Sequence, residues 1–506
     1  MSTHAGAPLL LGIDAGTSAI KVCAVTDDGR VQARAQRAVP VVTAQPAWAE
    51  IDLELYWSLC CEAIREIAVQ HGPAIIGVGL ATTCPTTILL DAQNRPLRPG
   101  IVFLDGRAQA FLDAVVGPDP LATLTETGNR ASPSTCWAAN LAWVRRHEPQ
   151  VWAQTTRVVT LNGFLSLRLA GVPVIDATQA SYSGLMDVRE PEARWSDGLL
   201  RRWQIDAAML PPIRPAFERI GSISAPAAAQ TGLRAGLPLA PGAADTACAA
   251  FAVGMREAGE AFESVGTSGV ITFCLDEARF EPNFLHRHHV VPGRWLAHGA
   301  MSTLGGAFGW LQGKVWPEVQ SLAELEQMAM QSLPGANGLI FLPYLAGERS
   351  PIWDAGASAA WLGLRLHHTR ADMVRAVFEG GALALRQILL RAHAHWGWQP
   401  TRLVGVGGGA RSRFWAQIKA DVLGLDYQMA SSTDASAIGA ALLGAIAAGV
   451  YASAQDPALP RLRLDDAVIR PGALERRDIY ARRFAVYDRL YPALIDAMHQ
   501  LDDSRA

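Results

Sequence analysis

Two stretches of this chain echo each other, and the echo limits the folds open to it. The first is LLLGIDAGTSAIKVCAVTDDGRV from Leu9; the second is EAFESVGTSGVITFCLD from Glu260. Each reads as an apolar strand, a Gly/Thr/Ser turn and a second apolar strand. In the first copy Leu9 to Ile13 is strand, Asp14 to Ser18 is turn and Ile20 to Thr26 is the return strand. Asp27-Asp28-Gly29 then turns the chain into a third strand, Arg30 to Ala38. In the second copy Gly266-Thr267-Ser268-Gly269 occupies the same turn. Glycines there let backbone N–H groups approach a polyphosphate, and the hydroxyls add donors. A plain hairpin turn would look the same in isolation. Two such turns on two similar halves point instead to a nucleotide held between duplicated domains. Asp14 stands where a carboxylate can hold the waters of a Mg²⁺ ion.

A third glycine cluster, Gly405-Val406-Gly407-Gly408-Gly409-Ala410-Arg411-Ser412, follows a short apolar strand and opens a helical pattern from Phe414 to Leu423. A strand running through glycines into a helix brings backbone close to a flat or anionic ligand. The spacing is not that of the GxGxxG dinucleotide fingerprint, and no GxxxxGK[ST] loop is present.

At 506 residues the chain predicts about two large domains. Half of it is apolar, 18% is charged and the net charge is −3, the composition of an ordinary soluble protein. No basic excess points to nucleic acid or an anionic membrane. The N-terminus lacks the pattern of a signal peptide, and runs such as Ala437 to Val450 are too short and glycine-punctuated to span a bilayer. The seven scattered cysteines read as reduced core residues of a cytoplasmic protein. The run His286-Arg287-His288-His289 reads as a solvated or pocket-edge loop, since no second cysteine or histidine pair stands at metal-site spacing.

Strand and helix signals alternate along the chain, the pattern of an α/β fold. Helices are predicted over Leu53 to Val69, Ser134 to Arg146, Phe164 to Leu169, Ser302 to Gln312, Leu322 to Met330, Thr369 to His395, Ala435 to Ala448 and Ile479 to Met498. Strands are predicted over Ile75 to Leu80, Thr87 to Leu90 and Leu339 to Leu342. The Pro-, Arg- and Trp-rich stretch from Ser183 to Ile220 reads as an elaborated cap. The domain boundary is placed between Gly254 and Gly259, giving halves 1–254 and 255–506. Asp245 follows small residues and opens a helix; by itself it reads first as an ordinary N-cap and second as a carboxylate held ionised for proton transfer. Lys21 reads equally as a solvent-facing strand lysine or a phosphate ligand.

The segments GIDAGTSAIKV, LLDAQNRPLRPGIVFLDGRA, WVRRHEP, PGAADTACAAFAVG, SVGTSG, LPYLAGERSP, GLRLHHTRADMVRAVFEG and VGGGARSRFWAQIKADVLG, in that order, resemble the FGGY carbohydrate kinases. That family shares the actin/hexokinase-like, ribonuclease H-like fold: two duplicated α/β domains around a central ATP cleft. The resemblance implies ATP and Mg²⁺, a small-molecule sugar substrate and no nucleic-acid or membrane partner, and it allows a homodimer. It puts Asp14 (metal), Gly16, Thr17, Ser18 and Lys21 in the first phosphate motif, and Gly266, Thr267, Ser268 and Gly269 in the second. Gly407, Gly408, Gly409, Ser412 and Gly439 make the adenosine motif, and Asp245 is the catalytic aspartate. Cys84, Pro85, Asp105, Arg107 and Asp245 line the sugar side, while Glu379 in the signature helix has a packing or hinge role.

The implied reaction is phosphorylation of the terminal hydroxyl of a ketopentose, D-xylulose to D-xylulose 5-phosphate. Two departures bear on the sugar. Family members acting on xylulose carry Met-His where this chain has Cys84-Pro85, and Trp-Asn where it has Phe103-Leu104 ahead of Asp105. Ribulose, erythritol or another polyol therefore stands as the alternative within the family. A non-catalytic ATP-binding switch of the actin type is the alternative outside it.

Overall fold

The computed structural model describes residues 7–503 apart from 118, 120 and 399. Six of the seven residues of the Leu9–Ala15 strand are buried, the exception being Asp14. A strand apolar on both faces must sit inside a sheet with both sides covered, and this one does. Its neighbours are the antiparallel Ala19–Thr26 and the parallel Ile75–Thr82. Val31–Ala38 pairs with Ala19–Thr26 and alternates exposed with half-buried residues, as an edge strand does. The helix Leu53–His71 connects the edge strand back to Ile75–Thr82, opened by Asp52, whose carboxylate accepts from the N–H groups of Glu54 and Leu55 at 2.9 Å. Gly221–Ser222, Pro238–Leu239 and Ala243–Ala244 complete a seven-stranded sheet.

The second half repeats the arrangement. Ala261–Val265 pairs antiparallel with Gly269–Leu275, which pairs antiparallel with Trp295–Met301. On its other side Ala261–Val265 runs parallel to Arg402–Val406, followed by Asp426–Ala430. The echo in the sequence is thus two copies of one sheet topology, and the fold is the duplicated α/β architecture expected.

The Ala435–Ala447 helix joins the halves. By chain position it belongs to the second, yet it lies on the glycines of the first sheet. A Cβ on Gly12 would come within 1.8 Å of the Ala437 carbonyl oxygen, and one on Gly79 within 2.0 Å of that of Ala440. The helix's alanines and glycines follow from this, since only small residues admit such an approach. Residues of both halves, including Leu10, Val25, Phe262, Val404 and Leu442, share one apolar cluster around it. Gly79→Ala should therefore lower unfolding free energy by about 3 kcal/mol, the upper end of ordinary overpacking, because the obstacle is backbone. Urea unfolding followed by tryptophan fluorescence measures it, and a loss below about 1 kcal/mol would mean that the helix can back away.

Two sequence expectations are corrected. The helix expected over Ser302 to Gln312 starts only at Gly306, runs to Trp310 and widens into a π turn over Leu311–Val315. The N–H groups of Leu304 and Gly306 are taken by the Thr267 carbonyl at 3.0 and 2.8 Å, and that of Gly305 by the Gly266 carbonyl at 3.1 Å. The chain is thereby held on the second Gly/Thr turn before it can coil. The run from His286 is no solvated loop: Leu285–His288 is a buried strand on Trp295–Met301. Its polar groups find carbonyl partners from distant segments. His286 Nδ1 bonds Gly128 O at 2.5 Å, His288 Nε2 bonds Val188 O at 3.2 Å and His289 Nε2 bonds Met255 O at 2.7 Å.

The helix Arg370–Trp396 opens with a Thr369/Asp372 capping box. Inside it, Glu379 Oε1 accepts from Arg375 Nε at 2.7 Å, Tyr480 Oη at 2.9 Å and Gly335 N at 3.0 Å. These bonds tie the long helix to the closing helix Leu474–Asp503 and give Glu379 a packing role.

Candidate active site

Three parallel strands of the first sheet end side by side. In register, Asp14 lies beside Ala81 and Ala81 beside Ala243; Ala15, Thr82 and Ala244 form the next row. Ligands of open α/β sheets bind beyond such carboxyl ends. Leaving those ends, the chain places Gly16 to Ser18 after the first strand, Cys84 and Pro85 after the second and Asp245 after the third. Asp245 is the first residue of the helix Asp245–Val253, and its Oδ1 accepts from Thr246 N at 2.6 Å. A carboxylate at a helix start is favoured in its charged form by the helix N–H groups.

Asp14 is half-buried at the end of its strand, and its withdrawal from water pushes its carboxyl up to about 7. The neighbouring Asp245 and, more weakly, Asp434 push the same way, while Lys21, its cross-strand partner, pulls it down. Carboxylates that repel one another in a site of low dielectric are the setting a divalent cation relieves. Among the described residues no group of three His, Cys, Asp or Glu side chains is close enough to ligate a metal directly. A Mg²⁺ ion here would therefore take most of its ligands from phosphate and water, as this ion commonly does.

The phosphate-turn candidates are held by their own bonds. Gly16 N donates to Ala19 O at 3.0 Å, Tyr56 Oη donates to Gly16 O at 2.8 Å, and Thr17 Oγ1 lies 2.9 Å from Thr83 Oγ1. Ser18 is exposed, and its carbonyl accepts from Val39 N at 2.9 Å. In the second turn Gly266 N donates to Ser268 O at 2.9 Å. The third cluster packs directly on the strand entering that turn. Gly407 has φ +92°, and a Cβ there would lie 2.6 Å from Val265 O; one on Gly409 would lie 2.4 Å from Val265 Cγ1. A Cβ on Gly408 would meet nothing within 4 Å, so this glycine faces open space. Ser412 caps the helix Arg413–Leu423, its Oγ accepting from Trp415 N at 2.9 Å.

Two candidates are placed differently. Gly439 sits inside the Ala435–Ala447 helix, where a Cβ would lie 1.9 Å from Cys248 O, so helix packing by itself requires a glycine there. Asp105 is braced rather than open. Its two oxygens accept from Ala49 N at 2.6 Å and from Arg107 N, Nε and Nη2 at 3.0, 2.8 and 2.7 Å. Four donors fill a carboxylate's acceptor capacity. Arg107 also pairs with Glu50 at 2.7 Å and lies 3.7 Å over the Trp48 ring, with Nη1 left without a partner.

Around Cys84 the structure gathers residues that the sequence reading missed. Burial lifts the Cys84 thiol to about 12, with Arg287 pulling down and Asp176 and Asp245 pushing up. Gln179 Nε2 donates to Thr82 Oγ1 at 2.6 Å, while its Oε1 is buried without a partner. Tyr182 lies under the Arg287 guanidinium, 3.8 Å from ring centroid to Cζ. None of these carries a local sequence signal, because Gln179 and Tyr182 reach Thr82 and Cys84 from nearly a hundred residues away, and Arg287 reaches Tyr182 from the second half.

The family model for the FGGY carbohydrate kinases, N-terminal domain, matches residues 9–252, and that for the C-terminal domain matches residues 261–448. A xylulose kinase of Escherichia coli K12 is 32% identical over 496 residues, covering 97% of this chain and 100% of the relative. The L-xylulose/3-keto-L-gulonate kinase of the same strain is 29% identical over 504 residues, covering 96% and 97%. The crystal structure of xylulose kinase from Rhodospirillum rubrum superposes with a TM-score of 0.86 at 30% identity, covering 97% of this chain and 100% of that one.

Proposed function

Given that the chain belongs to the FGGY family of carbohydrate kinases, and so is a sugar kinase, we propose that it transfers the γ-phosphoryl group of ATP to the terminal hydroxyl of a ketose, D-xylulose first among candidates. The observation that carries this reading is the convergence of Asp14 and Asp245 where three parallel strands end, with the Gly/Thr turns following. The full-length similarity to kinases named for xylulose supports the choice of sugar.

In this reading Asp245 accepts the proton of the attacking hydroxyl. That oxygen forms a bond to the γ-phosphorus as the bond to the bridging oxygen breaks, and ADP leaves with the electron pair. Gly16, Thr17, Ser18 and Lys21 on one side, and Gly266 to Ser268 on the other, supply donors to the phosphates. Gly407 to Gly409 bring backbone against the adenosine. Asp14 would hold Mg²⁺ through its waters, and the ion would neutralise charge on the phosphates. Arg107 and its brace Asp105 hold the Trp48–Glu50 segment at the edge of the sugar side. The halves, divided between Gly254 and Gly259, close to exclude water.

ADP release measured across pentuloses, hexuloses and polyols tests the reading. D-xylulose should be turned over with a KM above about 1 mM, the top of the ordinary range. Cys84 and Pro85 offer no side-chain donor of strength, and proline has no N–H. A low-micromolar KM would mean that another side chain supplies the missing contact in full. Turnover of no sugar would overturn the reading in favour of an ATP-binding switch.

A further inference from the structure

Arg287 is the feature of this site that neither the fold nor the phosphate chemistry requires. It lies on the Leu285–His288 strand of the second half, 5% exposed. Strand alternation puts it on the face of Leu285, opposite His286 and His288. Leu285 packs with Tyr182 and Ala300, and Cys84, Val270 and Trp353 border the same cluster. The guanidinium stacks on Tyr182, and its Nε and Nη1 have no hydrogen-bond partner. Among the described residues no carboxylate lies within ion-pair distance of it; Asp245 and Asp176 act on it only from farther away.

A buried guanidinium without a counter-ion is costly, and structures tolerate one chiefly where a ligand completes it. A second cation reinforces the point. Arg349, half-buried, also acts on Tyr182; its Nη2 reaches the Met301 carbonyl at 3.3 Å, and the neighbouring Glu348 carboxylate answers part of its charge. The orphan Oε1 of Gln179, whose carbonyl lies by Cys84, adds a buried acceptor without a donor. The two cations belong to the second half and Cys84 and Gln179 to the first, and Asp245 at its helix start acts on Arg287.

We propose that Arg287 anchors the end of the sugar remote from Asp245, and that the pocket prefers a ketose or polyhydroxy acid ending in a carboxylate over a neutral ketopentose. This rests on the kinase reading above and names the substrate class of the same site. Planar guanidinium and carboxylate match as a bidentate pair, whereas a neutral hydroxyl leaves part of the positive charge unanswered. The weak binding expected of D-xylulose then has a positive cause as well as the missing donor at Pro85.

The test compares kcat/KM for neutral pentuloses (D-xylulose, L-xylulose, D-ribulose) with that for sugar acids (D-gluconate, L-gulonate, 3-keto-L-gulonate), by ADP release. In the wild-type enzyme the best acid should exceed the best neutral sugar by about tenfold or more. Arg287→Gln should cut the acid-to-neutral ratio by about 10- to 100-fold, and Arg287→Lys should restore part of it. A merely structural arginine would lower both classes together. If the wild type prefers a neutral pentulose, or if the ratio is unchanged in Arg287→Gln, the inference is overturned while the kinase reading stands. If neither class is phosphorylated, the kinase reading falls and this inference with it. The wild-type comparison requires no variant to fold.

Discussion

Replacing Asp245 with alanine should lower ATP-dependent phosphorylation of the best sugar by about 10²–10⁴-fold, the range typical of a lost general base. The expectation comes from position. Asp245 follows the short Ala243–Ala244 strand, whose register with Ile75–Thr82 and Leu9–Ala15 sets it beside Asp14. It also opens the Asp245–Val253 helix, which fixes where the carboxylate stands. The loss should appear in kcat, with sugar KM changing little, because proton acceptance matters in the transition state and not in binding. Asp245→Asn separates charge from shape: it keeps the hydrogen bonds and should be nearly as impaired. A drop smaller than about tenfold in both variants would sink the assignment and return Asp245 to an ordinary helix-start aspartate.

Asp14→Asn should weaken the Mg²⁺ response and activity by about 10- to 100-fold, the usual scale for a group acting on a metal through intervening ligands. Asp14 is half-buried, with the Asp245 and Asp434 carboxylates acting on it, and its carboxyl is pushed up to about 7. Those neighbours make a poor place for an unaccompanied carboxylate and a good one for a cation. Sugar binding without nucleotide, followed by calorimetry, should survive the change. A Mg²⁺ titration that superposes on the wild type's would remove Asp14 from the metal and leave it a structural strand residue.

Removing the negative charge should also relieve repulsion in the metal-free protein. The raised carboxyl favours the folded state only while it is protonated, below about 7. Its contribution to stability is lost as pH rises from the unfolded value through 7. Asp14→Asn should accordingly be the more stable protein at pH 8 without Mg²⁺, even as its activity falls.

Much of the architecture was legible in the chain. Leu9–Ala15 and Ala261–Val265 are short apolar runs closed by Gly/Thr turns, and such runs have few alternatives to a buried strand beside a hairpin partner. The long helix was readable from Thr369, since a capping box is local chemistry. Ordered family segments carried the same information to the sugar-kinase class. Where the reading erred, the deciding contacts came from residues far away in sequence. His286 to His289 look like a polar loop until carbonyls of Gly128, Val188 and Met255 are brought to them.

Local pattern thus determined the repeated strand–turn–strand units, the three glycine clusters and the acidic residues beside them, because each is set by neighbours within a few positions. Tertiary structure decided the rest. Asp14 and Asp245 become neighbours only through parallel pairing across Ile75–Thr82. Arg287 acquires its place over Tyr182 only when a strand of the second half is laid against a helix turn of the first. Those juxtapositions depend on sheet register and on the close seat of an alanine-rich helix on Gly12 and Gly79. No local window of sequence contains them, since the first is selected by sheet pairing across more than two hundred residues and the second by packing of one half on the other.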